Sequence, residues 1–251
     1  MSVAFSANLG FLWKDRPFLE RIAAAKAADF PVVEFHDDAQ AAGAEAVKAA
    51  LGGTPVAGLN VRHHDTNGIS GLPGREEEAA RDIADAVAIA RAVGAGAVHV
   101  MAGRTTEAGA AARYVARLGE AAAGAPDLTF LIEPLCPQAV PGYLVPNLEA
   151  GLGLLEQVGR DNVKIMYDCY HMQSTGGDLL ARYRAHRDAI GHIQIAGGST
   201  RAEPDRGEID YRWLIPALQD AGYTGAFGAE YTPSGPTDDT LGWRDAYRRP
   251  R

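Results

Sequence analysis

The stretch VKIMYDCYHMQ, residues 163–173, contains the pattern that decides the fold. It begins as a short apolar run that includes Val163 and Ile165, which is typical of a buried β-strand. It ends on Asp168, with His171 three residues further along the chain. A buried carboxylate is costly unless it is paired, hydrogen-bonded or bound to a metal. Other apolar segments of this chain also end on a polar side chain, and this recurrence indicates one shared site.

Eight such apolar segments alternate with amphipathic, alanine-rich helical patterns. The predicted strands are 3–8, 31–36, 55–60, 97–102, 128–133, 163–168, 190–195 and 225–230. Strand–helix alternation predicts a parallel sheet with right-handed crossovers. Eight units in 251 residues fit a closed barrel better than an open sheet, and no G-x-G-x-x-G follows the first strand. The predicted fold is therefore α/β, a single (β/α)8 TIM barrel domain over residues 1–251.

The charge balance and the apolar runs exclude several kinds of partner. The chain has 24 Lys and Arg against 32 Asp and Glu, a formal charge of −8, and no basic stripe, so we expect no nucleic-acid partner. No apolar run approaches the roughly 20 residues of a membrane span, and the first residues do not resemble a signal peptide. Two cysteines do not make a disulfide framework. We expect a cytoplasmic protein without a membrane partner, and a homo-oligomer is possible.

Oxygen-bearing side chains end the fifth to eighth predicted strands. In barrels of this kind the active site lies at the C-terminal ends of the strands. Three carboxylates at one mouth would repel one another and resist ionisation, and a divalent cation removes this conflict. Oxygen-only ligands favour Mg²⁺ or Mn²⁺. Taken singly, each acid could instead be a salt-bridged rim residue. The predicted metal ligands are Glu133, Asp168, Gln194 and Glu230.

Histidines near these strand ends are candidate substrate contacts. We expect His171 to face the substrate beside Asp168, with a structural hydrogen bond as the alternative. His99 lies between two valines and points either into the barrel or into the core. His63 and His64 are adjacent on the loop after the third strand, so at most one of them faces the site. We take His64 as that candidate.

The motifs around these residues resemble the hydroxypyruvate isomerase family, within the xylose-isomerase-like barrels. Two segments depart from the family pattern, the loop NVRHHDTNG (60–68) and the segment IEPLCP (132–137), and both bear on substrate choice. The resemblance runs over nearly the whole chain. The matching segments are, in order, FSANLGFLW (5–13), GLPGREEEA (71–79), VHVMAG (98–103), RDNVKIMYDCYHMQ (160–173), GHIQIAGGSTRAEPDRGEIDYRWL (191–214), GYTGAFGAEYTPSG (222–235) and LGW (241–243).

The resemblance implies a role for each matching residue. Glu133 and Glu230 fall on the paired acid/base positions of these isomerases, and His171 and Arg201 fall where relatives contact substrate oxygens. Related ketose 3-epimerases have histidine where this chain has Gln194, which favours the hydroxypyruvate-isomerase branch. The metal-ligand positions of the family fall on Glu133, Asp168, Gln194 and Glu230.

The implied reaction is aldose–ketose isomerisation of a short hydroxy-keto acid or sugar. Hydroxypyruvate to tartronate semialdehyde is the leading case, through an enediolate, with two glutamates as acid and base. We expect Arg201, His171 or His64 to bind the substrate carboxylate. The alternatives are a 2-oxo-tetronate isomerase, a ketose 3-epimerase and a metal-dependent endonuclease on abasic DNA. The last would need more histidine ligands and a basic face.

Overall fold

Eight parallel β-strands close into a barrel in the computed structural model, which describes residues 3–248. Each strand pairs with the next one in chain order, and the last pairs with the first. All eight lie where the sequence predicts a strand, and the (β/α)8 barrel is confirmed. The strands are β1 (Phe5–Asn8), β2 (Val32–Phe35), β3 (Val56–Asn60), β4 (Ala97–His99), β5 (Thr129–Ile132), β6 (Val163–Asp168), β7 (Ile190–Ile195) and β8 (Phe227–Ala229).

Helices follow the strands and surround the barrel. The longest, Glu76–Val93, has three glutamates in its first turn, which complement the helix dipole, and Gly94 ends it with φ 72°. The helices are α1 (Phe18–Ala27), α2 (Asp38–Ala42), α3 (Ala44–Leu51), α4 (Glu76–Val93), α5 (Ala110–Gly124), α6 (Leu148–Val158), α7 (Cys169–Thr175), α8 (Leu179–His186), α9 (Tyr211–Asp220) and α10 (Asp245–Arg248), with 3₁₀ turns at Arg187–Ala189 and Thr237–Arg244.

The main apolar core lies between the strands and the helices. Val163, Ile165 and Tyr167 of β6 are buried in it, together with residues such as Leu118 and Leu218 from α5 and α9. The alternate residues of the strands face the barrel interior, because successive side chains of a strand point to opposite faces. Among residues 3–248, no helix is long and apolar enough to cross a membrane.

Candidate active site

The barrel interior becomes polar toward the C-terminal ends of the strands. Residues two apart in a strand share a face. On the inner face, Leu131 of β5 is followed by Glu133, and Met166 of β6 is followed by Asp168. Leu131 and Met166 form a small apolar cluster of their own with Ala97. Many polar residues at this end of the barrel are buried, among them Asn8, Glu34, Asn60, His99, Glu133, Asp168, Gln194 and Glu230.

Glu133, Asp168 and His171 meet at the centre of this polar region. The Nε2 atom of His171 lies 3.6 Å from Oδ2 of Asp168 and 3.9 Å from Oε1 of Glu133. Each of the three can offer one ligand atom, with all three atoms within 4.8 Å of one another. This cluster has the geometry to hold a metal ion. It contains two of the four predicted ligands and adds His171 as a potential third.

Arg201 connects Asp168 to Glu230. Its Nη2 atom lies 3.3 Å from Oδ2 of Asp168 and 3.0 Å from Oε2 of Glu230. The guanidinium lies 4.6 Å from the ring centroid of Phe11 and 5.3 Å from that of Tyr170, so two aromatic faces hold it in place. The structure therefore brings Glu230 and Arg201 to the same cluster as Asp168.

Burial makes Glu133 and Asp168 poor at holding a negative charge. Burial, together with the charges of Glu230 and Asp168, raises the pKa of Glu133 well above its ordinary value. Burial also raises the pKa of Asp168 to about 7, although the Arg201 charge opposes the shift. A carboxyl group that titrates near neutral pH, as Asp168 does, is suited to proton transfer, and such perturbed groups concentrate at functional sites.

His171 is oriented by the backbone of the loop after β5. Its Nδ1 atom accepts a hydrogen bond from the Cys136 amide nitrogen at 3.1 Å. Burial, and then the charge of Arg201, lower the pKa of His171 well below its usual range, so the ring is neutral. A neutral ring that accepts at Nδ1 carries its proton on Nε2. The Nε2 atom of His171 is buried, and no group among the described residues accepts a hydrogen bond from it. His171 is thus better suited to donate to a ligand oxygen than to bind a metal.

Gln194 and Glu230 extend the cluster across β7 and β8. Gln194 is the register partner of Asp168, and its Nε2 donates to Oε1 of Glu34 at 2.8 Å. The Oε1 atom of Gln194 is buried and has no hydrogen-bond partner within residues 3–248. Oε1 of Glu230 accepts from Nδ2 of Asn8 at 3.1 Å and lies 3.2 Å from Nε2 of His36. Both residues belong to the same mouth.

His99 lies beside the acidic cluster. Its Nδ1 atom is 3.5 Å from Oε2 of Glu133, and neither ring nitrogen makes a hydrogen bond to the described residues. Burial, with smaller effects from His63 and His36, lowers the pKa of His99 to about 3, so the ring is neutral. The sequence left two orientations for this side chain, and the ring points into the barrel beside Glu133.

His64 is not brought to the cluster. Its Nε2 lies 2.6 Å from Oδ2 of Asp82, on the outer helix α4, and its backbone φ is +48°. The ring of its neighbour His63 lies 4.6 Å from the ring of His36, and Asp37 holds Nδ1 of His63 at 3.1 Å. Of the two adjacent histidines, the structure places His63 closer to the mouth. The expectation that His64 is the one that faces the site is therefore corrected.

Sequence reasoning gave no role to Glu34, His36 and His192. Oε2 of Glu34 lies 2.8 Å from Nε2 of His192, and both side chains lie inside the barrel. Burial alone would raise the pKa of Glu34, but the charge and hydrogen bond of His192 hold it below its ordinary value. A signal was available, because Glu34 interrupts an apolar strand and His192 lies two residues before Gln194 on the same face.

The fold and the buried residues define an enzyme-like (β/α)8 barrel with an acidic mouth. The model of the xylose isomerase-like TIM barrel family matches residues 22–249, and the chain belongs to this family. A 2-oxo-tetronate isomerase from Cupriavidus necator is 37% identical over 255 residues, which cover 97% of this chain and 98% of that protein. A hydroxypyruvate isomerase from Escherichia coli is 33% identical over 258 residues, which cover 97% of this chain and 99% of that protein.

A solved structure supports the same relationship. The crystal structure described as an AP endonuclease, family 2, from Brucella melitensis superposes with a TM-score of 0.93 at 32% identity, covering 99% of this chain and 100% of that one. The predicted family is confirmed, and so is the prediction of an enzyme of the isomerase class.

Proposed function

We propose that this enzyme interconverts the ketose and aldose forms of a short sugar acid, with hydroxypyruvate and tartronate semialdehyde (2-hydroxy-3-oxopropanoate) as the leading pair. One observation carries the proposal: three buried carboxylates, Glu133, Asp168 and Glu230, meet His171 and Arg201 in one barrel mouth. The relatives named hydroxypyruvate isomerase and 2-oxo-tetronate isomerase support the substrate class. The four-carbon acid is the second candidate, because the 2-oxo-tetronate isomerase is 37% identical to this chain.

The residues of the mouth fit a divalent cation. Oε1 of Glu133 and Oε1 of Gln194 are buried oxygens that no group among residues 3–248 satisfies, and such atoms are costly unless a ligand pairs with them. We propose that an oxygen-preferring ion, Mg²⁺ or Mn²⁺, pairs with them. When bound, it would supply positive charge to substrate oxygens that become negative during the reaction. The proposed ligands are Glu133, Asp168, Gln194 and Glu230.

The two glutamates are the proposed acid and base. Isomerisation moves a proton between adjacent carbons, so a proton must be removed from one carbon and delivered to the other, and two groups can divide these steps. Glu133 follows β5 and Glu230 follows β8, on either side of the strands that carry Asp168 and Gln194. A substrate between them would meet one carboxyl group from each side. The raised pKa of Glu133 favours its protonated form, which suits this group to deliver a proton.

Three further side chains are proposed to bind the substrate. His171 would donate its Nε2 hydrogen to a substrate oxygen, since that atom has no acceptor on the described chain. Arg201 would bind the carboxylate or a hydroxyl, because its Nε atom is buried and also without a partner there. His99 would form the wall beside Glu133. His64 has no part in this proposal, since its ring pairs with Asp82 on the outside of the barrel.

A product assay tests the proposal. The protein is loaded with Mn²⁺ or Mg²⁺ and offered hydroxypyruvate, 2-oxo-tetronate, free ketohexoses and an abasic-site DNA duplex, with a chelated sample as control. We expect isomerisation of the three-carbon or four-carbon acid and no change in the sugars or the DNA. Turnover of the free ketoses alone, or cleavage of the duplex alone, would refute the proposed function.

A further inference from the structure

Glu34 is a buried carboxylate whose two oxygens are fully occupied by donors. Oε2 accepts from Oγ of Ser6 at 2.7 Å and lies 2.8 Å from Nε2 of His192. Oε1 accepts from Nδ2 of Asn8 at 3.1 Å and from Nε2 of Gln194 at 2.8 Å. Glycine at 228 leaves room for it, since a Cβ there would lie 2.5 Å from Oε1 of Glu34. These four contacts leave Glu34 no role as a direct ligand.

This carboxylate sets the direction of the Gln194 amide. An ionised carboxylate only accepts hydrogen bonds, so an amide that contacts it must present its NH₂ group and not its oxygen. Gln194 does so, and its oxygen therefore lies on the side away from Glu34, where it is buried without a partner in the described chain. A reversed amide would set two oxygens against each other at Glu34.

The same rule fixes Asn8. One NH₂ group of Asn8 donates to both Oε1 of Glu34 and Oε1 of Glu230, at 3.1 Å each. Its Oδ1 atom accepts from the amide nitrogen of Gly10 at 2.9 Å, so the orientation of this amide is also determined. Glu34 is thus linked to Glu230 through one side chain.

We propose that Glu34 is a positioning residue that turns the Gln194 oxygen toward the acidic cluster and, through Asn8, holds Glu230 in place. The inference rests on the proposed metal site. If the Gln194 amide turned over, an NH₂ group would face the ion, which removes a ligand and adds a repulsive dipole. Residues that orient metal ligands in this way typically contribute about 10–100-fold to metal affinity.

The variant Glu34→Gln tests the orientation. It keeps the shape of the side chain but adds a donor, so Gln194 is no longer forced to present its NH₂ group. We expect the dissociation constant for Mn²⁺, measured by calorimetry, to rise at least about tenfold. The double variant Glu34→Gln/Gln194→Glu exchanges the two groups: the new amide donates to the new carboxylate, whose second oxygen faces the cluster. We expect it to bind Mn²⁺ more tightly than Glu34→Gln does, although the new amide no longer accepts the hydrogen bond from Asn8.

Ser6→Ala is the matched control. It removes one donor to Oε2 of Glu34 but keeps His192, the positive partner of Glu34, and leaves Gln194 untouched. The melting temperature should therefore fall while Mn²⁺ affinity stays close to that of the wild type. Circular dichroism checks that every variant folds. Wild-type affinity in Glu34→Gln would overturn the proposal. The absence of rescue in the double variant would also overturn it, because the residue would then serve the fold and not the orientation.

A wild-type protein that binds no Mn²⁺ would refute the metal site and not the orientation. The orientation would then be measured by NMR on the side-chain amide protons of Gln194. We expect slow hydrogen exchange for these protons in the wild type and in Ser6→Ala, and fast exchange in Glu34→Ala. Fast exchange in the wild type would overturn the orientation itself.

Discussion

Asp168 should make the metal-free protein less stable as the pH rises. Burial raises the pKa of this carboxyl from an ordinary value of 3.8 to about 7 in the folded protein. Between these two values the folded state keeps a proton that the unfolded state has lost. The folded state therefore binds more protons, and the free energy of unfolding falls with increasing pH across this window. At 1.36 kcal/mol per pKa unit, the full shift corresponds to at most roughly 4 kcal/mol above pH 7.

The variant Asp168→Asn removes this ionisation and nearly preserves the shape of the side chain. We would measure urea unfolding of both proteins in the presence of a chelator, at about pH 5 and about pH 8. About two of the roughly three units of the shift lie between these conditions, so the wild type should lose about 3 kcal/mol relative to the variant. Groups that titrate in both proteins, such as His192, largely cancel in this difference.

Added Mn²⁺ should restore most of the stability that the wild type loses at high pH. The wild type gains free energy of unfolding from an ion that binds only the folded state, about 2.7 kcal/mol at a concentration of 100 times the dissociation constant. The variant, which lacks the Asp168 charge, should gain much less. Parallel pH curves for the two chelated proteins would show that the carboxyl group does not carry a raised pKa, and the electrostatic account of the mouth would then be wrong.

Four further predictions concern single groups. Chelation should abolish turnover, and Mg²⁺ or Mn²⁺ should restore it; full activity in a rigorously metal-free preparation would contradict the metal site. His171→Ala should keep Mn²⁺ binding in calorimetry and lower kcat/KM, so a loss of metal as complete as in Asp168→Asn would contradict its substrate-facing role. Glu133→Gln and Glu230→Gln should each lower kcat about 10²- to 10⁴-fold, and the two losses should not be additive. Turnover of the wild type in D₂O should place deuterium on the reacting carbon. Near-normal turnover in either variant would rule out proton transfer by the two glutamates. His64→Ala should lower the free energy of unfolding by about 1–3 kcal/mol in urea titrations, because the buried Asp82 loses a partner, and an unchanged stability would count against that contact.

The barrel could be predicted because its pattern is local. β6 and β7 have the bounds that the apolar runs indicate, Val163–Asp168 and Ile190–Ile195. β4 is shorter than predicted and ends at His99. From Met101 onward the backbone pairs with loops instead, with Ala102 in an antiparallel bridge to Gly68. An apolar run does not show which partner its backbone will take, so strand ends remained inexact.

The site residues could be named from the sequence, but their contacts could not. Alternation along a strand places Glu133 and Asp168 on the inner face whatever the loops do. The choice between His63 and His64 depends on one backbone angle, the φ of +48° at His64, which no local pattern specifies. The place of Arg201 depends on the aromatic rings of Phe11, in the loop after β1, and Tyr170, in the first turn of α7.

The charge of the mouth gives a further reason to favour a divalent ion. Three carboxylates, Glu133, Asp168 and Glu230, surround one guanidinium, that of Arg201, while His171 and His99 are neutral. With all three acids ionised, the formal charge is −2, and Glu34 is compensated separately by His192. A divalent cation would bring this charge to zero, whereas a monovalent one would leave a buried negative charge. With the ion bound, an acidic substrate would meet a neutral mouth. Without the ion, the two excess negative charges would repel the substrate carboxylate, so the proposed ion and a sugar-acid substrate fit the same site.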